Sequence, residues 1–480
     1  MEVRTRFAPS PTGYMHIGNL RTALYAYLHA RKNEGVFILR IEDTDQARLV
    51  ADSVKVIYES LAVTGIEHDE GPDKGGPVGP YTQSERRGLY KEYAEKLLAA
   101  GRAYRCFCEK TEKTEEHDEE HEAPILGYDG RCGRLSEAEI KANLDKGLPY
   151  VIRQRIDKEG STSFKDFIYG DIVVENKQLD DQILLKRDGY PTYNFANVVD
   201  DHLMGITHVM RGCEYISSTP KYILLYKAFG WEIPEHIHLP HILGPSGKKL
   251  SKREGSVALG DFLKRGFLPE AILNYIALLG WNPGTEQEFF TKADLIAKFD
   301  IARIGKAPAM FDETKLAWLN GQHIRAKTPD EAHALFLPFY PESVTGKFDA
   351  RKLTGYIQGK VEKLSDLPQM TAFLAALDEN FPKDLFVHAK NKTTLEGSRA
   401  VLQDLADALN CLGDWEYGSI LGAVKAYAEA KGAKLGPVMW PLRIAISGQA
   451  VTPTGAAEIA ELLGKAETLR RLSLAAARLA

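Results

Sequence analysis

The stretch Arg6-Phe-Ala-Pro-Ser-Pro-Thr-Gly-Tyr-Met-His-Ile-Gly-Asn-Leu-Arg21 limits the fold more than any other part of the chain. At its start, Val3, Thr5 and Phe7 alternate in a short β-prone run over 2–7. At its end, Leu20, Ala23, Leu24, Tyr27 and Leu28 recur at helical spacing. The segment between is a rigid loop, because Pro9 and Pro11 fix φ and Gly13 permits a tight turn. A strand that feeds such a loop and then a helix is the entry to a nucleotide-binding α/β unit. The free N–H groups and positive dipole end of the helix favour an anion there. His16 and Asn19 sit at that first turn, and Gly18 leaves no side chain above it, so a flat base could approach the backbone. An ordinary loop with a satisfied histidine would show the same few residues, so the decision rests on the rest of the chain.

Val36-Phe-Ile-Leu-Arg-Ile-Glu42 is nearly continuous in apolar residues, as a buried strand of a parallel sheet is. With the first strand and helix it makes a βαβ unit, so the two strands should be parallel and the crossover right-handed. Glu42-Asp-Thr-Asp45 then falls at the carboxyl end of a parallel strand, where ligands bind in open α/β sheets. Asp45 is expected to cap the following helix, which carries Leu49, Val54, Ile57 and Leu61, while Glu42 faces the site. After a Gly/Pro-rich loop over 70–80, a helix is expected over 84–100.

Composition bounds the answer without deciding it. At 480 residues the chain should hold about three domains. It is 44% hydrophobic and 26% charged, and no window approaches the ~18 uninterrupted apolar residues of a membrane span. The first residues contain no apolar run and so are not read as a secretory signal. Five cysteines, an odd number, argue against a disulfide framework and for a reducing cytoplasm. A net charge of −5 leaves nucleic acid open, because an RNA enzyme needs only a local basic face.

Three further constellations carry chemistry. Cys106 and Cys108, with Cys132 later in the chain, supply three soft ligands for zinc, and Tyr128, His117 or His121 could be the fourth. Three unrelated thiols around a loop would look the same. Val209-Met-Arg-Gly-Cys-Glu214 resembles a strand end, placing Arg211 on the same side of the sheet as Arg6. These arginines either pair with Glu42 or Asp43, or leave one guanidinium to grip a substrate carboxylate. Leu243-Gly-Pro-Ser-Gly-Lys-Lys-Leu-Ser-Lys-Arg-Glu-Gly255 carries Lys248, Lys249, Lys252 and Arg253. Alone it would pass for a solvated basic turn; beside a nucleotide it is a clamp for phosphates.

The Pro-Ser-Pro-Thr-Gly, His-Ile-Gly-Asn, Arg-Ile-Glu-Asp-Thr-Asp and Lys-Leu-Ser-Lys-Arg stretches stand in one order. Together they resemble a class I aminoacyl-tRNA synthetase, specifically the bacterial-type glutamyl-tRNA synthetase family. Gly189-Tyr-Pro-Thr-Tyr193, Asn197-Val-Val-Asp-Asp-His-Leu-Met-Gly205 and Ala307-Pro-Ala-Met-Phe-Asp-Glu-Thr-Lys-Leu-Ala-Trp-Leu-Asn320 match as well. So do Met439-Trp-Pro-Leu-Arg-Ile-Ala-Ile-Ser-Gly448 and Glu461-Leu-Leu-Gly-Lys465, so the resemblance spans the chain.

The resemblance implies an α/β fold. Its split Rossmann-like parallel-sheet domain (1–90 and 196–253) holds an inserted α+β acceptor-end-binding domain (91–195). A stem-contact region (254–328) and all-α anticodon-binding domains (329–480) follow. It implies ligation of L-glutamate to tRNA-Glu through a glutamyl-adenylate, using ATP with Mg2+, by a cytoplasmic monomer that needs no membrane. Arg6, Ser10, Glu42, Tyr193, Asn197 and Arg211 would surround the amino acid. His16, Gly18 and Asn19 would hold ATP, and Lys249 with Lys252 would stabilise the transferring phosphates, so that His16, Asn19, Lys249 and Lys252 form the catalytic set.

Three residues depart from the pattern. Asn19 replaces the second histidine of His-Ile-Gly-His, and Arg134 stands where some zinc-binding members have histidine. Cys213 falls where acidic residues are frequent, and nothing in the sequence explains it. Charging of tRNA-Gln as well, and a non-catalytic tRNA-binding paralogue, are the alternatives. The paralogue is expected to lack His16 or Lys252, and both are present. A short glutamyl-queuosine-type relative would lack the C-terminal helical half, and a glutaminyl enzyme would end in β-barrels.

The lysine loop generates a kinetic expectation. A cation that meets phosphates mainly as charge develops acts on kcat. Lys252→Ala should therefore cut adenylate formation by about two orders of magnitude or more, roughly 3–4 kcal/mol, with glutamate binding unchanged. A normal kcat with a raised KM for ATP would assign it to ground-state binding instead.

Overall fold

The computed structural model describes residues 2–11, 13–45, 49–50, 52–108, 128–250 and 257–480. They form two compact units, Met1–Phe262 with Ile272–Glu313, and Leu263–Ala271 with Thr314–Ala480.

In the first unit the alternating run becomes β1 (Arg4–Phe7), followed by α1 (Ile17–Lys32) and β2 (Val36–Leu39). The strands pair in parallel, Arg4 opposite Val36 and Phe7 opposite Leu39, as a βαβ unit requires. Leu20, Ala23, Leu24, Tyr27 and Leu28 are all buried in α1. Each of the larger ones contributes about 1.5–3 kcal/mol by leaving water. Past Leu39 the ladder thins to single bonds: Arg40 N–H donates to the Phe7 carbonyl at 3.0 Å, and Glu42 N–H to the Pro9 carbonyl at 3.1 Å. Proline has no N–H to return, so regular pairing stops where the loop begins.

The chain continues through α2 (Ser53–Thr64), α3 (Arg87–Ala99), β3 (Ala103–Cys106), α4 (Glu137–Asp145) and β4 (Val151–Gln154). Next come β5 (Ser161–Asp166), β6 (Gly170–Glu175) and β7 (Ile183–Leu185). β3, β4 and β7 form an antiparallel sheet. A second βαβ unit follows α5 (Tyr193–Leu203): β8 (His208–Gly212), α6 (Thr219–Phe229) and β9 (Glu235–Leu239). β8 and β9 are parallel, and Asp166 of β5 pairs with His236 of β9. The two βαβ units join at β1 and β8, where Thr207 N–H donates to the Arg4 carbonyl and Arg4 N–H to Thr207 Oγ1. β10 (Ile242–Leu243) and β11 (Ala309–Met310) make a short parallel pair.

Two expected helix starts move. α2 begins at Ser53 behind Asp52, not at Asp45, and Leu49 lies outside it and exposed. Its buried face is Ser53, Ile57, Ser60, Leu61 and Thr64; Val54 points outward. α3 begins at Arg87, because Gln83–Arg86 are wound as a tighter 3₁₀ turn.

Among its described residues the second unit has helices and 3₁₀ turns but no strand. Helices Leu395–Asn410, Gly436–Ser447 and Lys465–Arg478 bury Leu402, Leu405, Leu409, Leu442, Ile446 and Leu472 in one core. Arg471 is 1% exposed, yet satisfied. Its guanidinium donates to the carbonyls of Phe373 (2.8 Å), Leu374 (3.0 Å) and Ile446 (2.6 Å), near the carboxyl ends of two helices. Helix ends leave such carbonyls without partners, and a cation suits the dipole there.

Back in the first unit, α5 carries two adjacent buried carboxylates. Asp200 accepts from Arg86 Nε (2.7 Å), Gln83 Nε2 (2.8 Å) and Tyr90 Oη (2.8 Å). Asp201 accepts from Arg6 Nε (3.0 Å) and Nη2 (3.3 Å) and from Arg40 Nη1 (2.8 Å). All of these groups are at most 4% exposed. Asp200→Ala leaves the Arg86 charge buried and should cost about 3–5 kcal/mol, read as a shift of the first unit's urea transition; a loss below ~1 kcal/mol would show that water replaces the carboxylate.

Candidate active site

β1, the segment after β2, the start of α5 and the end of β8 bring together five of the six residues expected around the amino acid. Glu42 is 4% exposed, and its Oε1 accepts from Arg40 Nη2 (2.9 Å), Arg40 Nε (3.2 Å) and Gln83 Nε2 (3.4 Å). Glu42 Oε2 is buried without a partner among the described residues. Burial pushes this carboxyl above its ordinary pKa, against the pull of Arg40 and Arg6.

Arg211 mirrors it with opposite charge. It is 5% exposed, and its Nη2 donates to Asn197 Oδ1 at 3.3 Å. Nε and Nη1 are buried without partners among the described residues. The guanidinium lies 5.0 Å from the Tyr215 ring centroid and 5.2 Å from that of Tyr222. Burial works against its charge but is outweighed by Tyr193, Tyr222 and Asp201, so its pKa is raised. Tyr193 opens α5, in electrostatic reach of Arg211, Glu42 and Arg6, with its ring 5.4 Å from that of Tyr215. Asn197 Nδ2 donates to the Tyr193 carbonyl at 2.8 Å.

Arg6 differs. It pairs with neither Glu42 nor Asp43; Asp201 grips it bidentately, and its Nη1 donates to the Met210 carbonyl at 3.1 Å. Ser10, the sixth, is exposed, beside the proline whose carbonyl accepts from Glu42 N–H.

The residues expected to hold the nucleotide lie at the amino end of α1. His16 is the N-cap in extended conformation, and Gly18 and Asn19 are exposed on the first turn. A Cβ placed on Gly18 would meet nothing within 4 Å, so the space above the turn is open. Ile17 N–H donates to the Val257 carbonyl (3.0 Å) and Leu259 N–H to the Met15 carbonyl (3.0 Å). Lys249 is exposed on a hairpin where it pairs with Leu243, and Leu250 N–H donates to the Ile242 carbonyl at 2.9 Å. Both flanks of 251–256 are thus held, one of them against the His16 turn. Lys252 and Arg253 lie outside the described residues.

Residues 2–318 match the family described as tRNA synthetases class I (E and Q), catalytic domain, and residues 331–476 match an anticodon binding domain. The chain belongs to the class I tRNA synthetases (E and Q). It is 53% identical over 475 residues to a glutamate–tRNA ligase of Clostridium botulinum (strain Okra / Type B1), across 98% of both chains. A glutamate–tRNA ligase of Clostridium acetobutylicum is 51% identical over 476 residues, again across 98% of both. The crystal structure of a glutamate tRNA ligase from Elizabethkingia meningosepticum CCUG26117, in complex with its amino acid, superposes with a TM-score of 0.88 at 36% identity, covering 100% of each chain.

This class I synthetase also gathers three of its five cysteines. The sulfurs of Cys106, Cys108 and Cys132 lie within 4.8 Å of one another, with Cys108 and Cys132 3.4 Å apart and unbonded. The Tyr128 hydroxyl is 3.4 Å from Cys106 Sγ and 3.9 Å from Cys108 Sγ. Zinc–thiolate bonds of ~2.3 Å place the sulfurs of a tetrahedral site about 3.8 Å apart, so this donor set fits zinc. His117 and His121 lie outside the described residues.

Sequence reasoning missed Arg40, Gln83, Asp200, Asp201 and Tyr222. Asp201 had a signal, since it lies four residues from Asn197 and hence on the same helix face. Gln83 had none.

The two arginines should separate by stability. Arg6→Ala strips Asp201 of a buried partner and should cost about 3–5 kcal/mol, whereas Arg211→Ala removes a guanidinium with two unpartnered nitrogens and should leave the Tm at or above that of the parent. Equal losses would mean that Arg211 has a partner in the resting protein.

Proposed function

We propose that this protein ligates L-glutamate to tRNA-Glu through a glutamyl-adenylate, releasing pyrophosphate and then AMP. The observation that carries the reading is the pair of unsatisfied buried groups in one cluster, Glu42 Oε2 and the Nε and Nη1 of Arg211. A buried polar atom without a partner costs ~1–3 kcal/mol, more if charged. An amino acid carrying an ammonium and a second carboxylate satisfies both. Glu42 accepts from the ammonium; Arg211 donates to the side-chain carboxylate; Asn197 and Tyr193 orient Arg211; Arg6 and Ser10 complete the wall.

The α-carboxylate of glutamate attacks the α-phosphorus of ATP, and pyrophosphate leaves. His16 and the exposed Gly18–Asn19 turn hold the phosphates at the α1 end, where N–H groups and dipole favour them. Bound with ATP, Mg2+ would supply further positive charge to those phosphates. Lys249 and Lys252 neutralise charge as the pyrophosphate departs. A ribose hydroxyl of the tRNA terminal adenosine then attacks the glutamyl carbonyl and AMP leaves. Positioning and electrostatics supply the rate enhancement, since no covalent enzyme intermediate is involved.

Residues 1–90 and 196–253 serve as the catalytic domain, 91–195 bind the acceptor end, 254–328 contact the stem and 329–480 read the anticodon. Cys106, Cys108, Cys132 and Tyr128 hold a structural zinc ion. The protein works as a monomer in the cytoplasm, in keeping with five free cysteines and with no helix, among the described residues, long and apolar enough to cross a membrane.

Aminoacylation of purified tRNA-Glu and tRNA-Gln, with glutamate and glutamine in turn, tests this reading. Glutamate should be transferred to tRNA-Glu, and glutamine rejected by ~10⁴ or more, because its amide leaves a desolvated guanidinium without an anion. Arg211→Ala should narrow that ratio. Transfer of glutamate to tRNA-Gln at a comparable rate would make the enzyme non-discriminating; an unchanged ratio in Arg211→Ala would remove Arg211 from the pocket.

A further inference from the structure

Cys213 has no role in the ligation chemistry, and the fold gives it two neighbours of a particular kind. It follows Arg211 by two residues, at the turn after β8, while His241 stands between β9 and β10. The Cys213 sulfur, a Glu214 carboxylate oxygen and a His241 ring nitrogen all lie within 4.8 Å of one another. His241 Nδ1 is 3.9 Å from Glu214 Oε2. Burial and the neighbouring Glu214 carboxylate push the Cys213 thiol above its ordinary pKa, against hydrogen bonds that its sulfur accepts from the Tyr169 hydroxyl and the His241 backbone N–H.

The surroundings hold this arrangement in place. Arg21, 4% exposed in α1, donates to the Pro240 and Leu279 carbonyls, so the residue before His241 is tied to α1. Glu214 folds back over Gly212, where no side chain would fit. The cluster is nonetheless reachable, since the His241 and Glu214 side chains are 36% and 37% exposed.

We propose that Cys213, Glu214 and His241 form a zinc site at the carboxyl end of β8, separate from the Cys106–Cys108–Cys132 cluster. Thiolate, imidazole and carboxylate are the three donor types zinc takes, with bonds of ~2.0–2.3 Å. Such bonds set ligand atoms about 3.3–3.8 Å apart, so movements of roughly 1 Å close the present arrangement around an ion. Deprotonated, Cys213 and Glu214 carry two negative charges. The Arg21 charge, in electrostatic reach of both, balances one of them, and the remaining negative charge favours a cation. Three protein ligands leave one tetrahedral position for water or an anion, the mark of an exchangeable site rather than a closed structural one. An ion here would link the strand end that carries Arg211 to the hairpin that carries Lys249.

The test is equilibrium dialysis of the full-length, metal-free protein against Zn2+, with Co2+ as a spectroscopic substitute. Parent, Cys213→Ser, His241→Ala and Cys108→Ser are compared, with circular dichroism as the folding control. Cys213→Ser and His241→Ala should each bind one zinc fewer than the parent, and Cys213→Ser should lose a thiolate-to-cobalt band that Cys108→Ser retains. Equal stoichiometry in the parent and both variants overturns the site. Loss in Cys213→Ser but not in His241→Ala overturns the three-ligand assignment. Should Cys213→Ser fail to fold, His241→Ala decides alone, because its side chain is partly exposed.

Discussion

Two neighbouring carboxylates on one buried helix, Asp200 and Asp201, hold the candidate site together. Each collects cations from elsewhere in the chain: Asp201 from Arg6 on β1 and from Arg40 just past β2, Asp200 from Arg86 before α3. A buried ion pair adds little net stability over an apolar contact, but it tolerates no loss of a partner. Its consequence here is positional. Because α5 must present both carboxylates to those cations, Tyr193 and Asn197, earlier on the same helix, are aimed at Arg211.

The site that results is incomplete by design of its charges. Arg40 takes one oxygen of Glu42 and leaves the other unsatisfied; Asn197 takes one nitrogen of Arg211 and leaves two. In a low-dielectric cluster such groups are costly, and a ligand of complementary charge recovers that cost on binding. The α1 end is different in kind. There the attraction comes from the positive end of the α1 dipole and an open space above Gly18, so it suits a phosphate chain and a flat base but reads no side chain.

Much of this was legible because it is local. The βαβ entry followed from alternation, two prolines and helical spacing, and β1, α1 and β2 formed where those signals stood. Helix starts were less legible. Asp45 has the right side chain for a cap, yet α2 begins at Ser53, because the position of a helix end depends on which turn can bury its apolar face. The cysteine cluster was visible as three thiols, while the proximity of Tyr128 to two of the sulfurs came only from the fold.

By itself, the sequence determined the α/β class, the helical second half, and the identity of the residues at the carboxyl ends of β2 and β8. It also placed Cys213 among residues that offered it no role. Tertiary structure alone decided which arginine is tied and which retains unpartnered nitrogens. Arg6 and Arg211 read alike as strand-end cations, and what separates them is Asp201, 195 residues from Arg6 in the chain. Spacing rules extend over a few residues, whereas a charge is neutralised by whatever the fold carries to within ~3 Å of it. The same holds for Cys213, whose neighbour His241 is brought to it by the parallel pairing of β8 with β9.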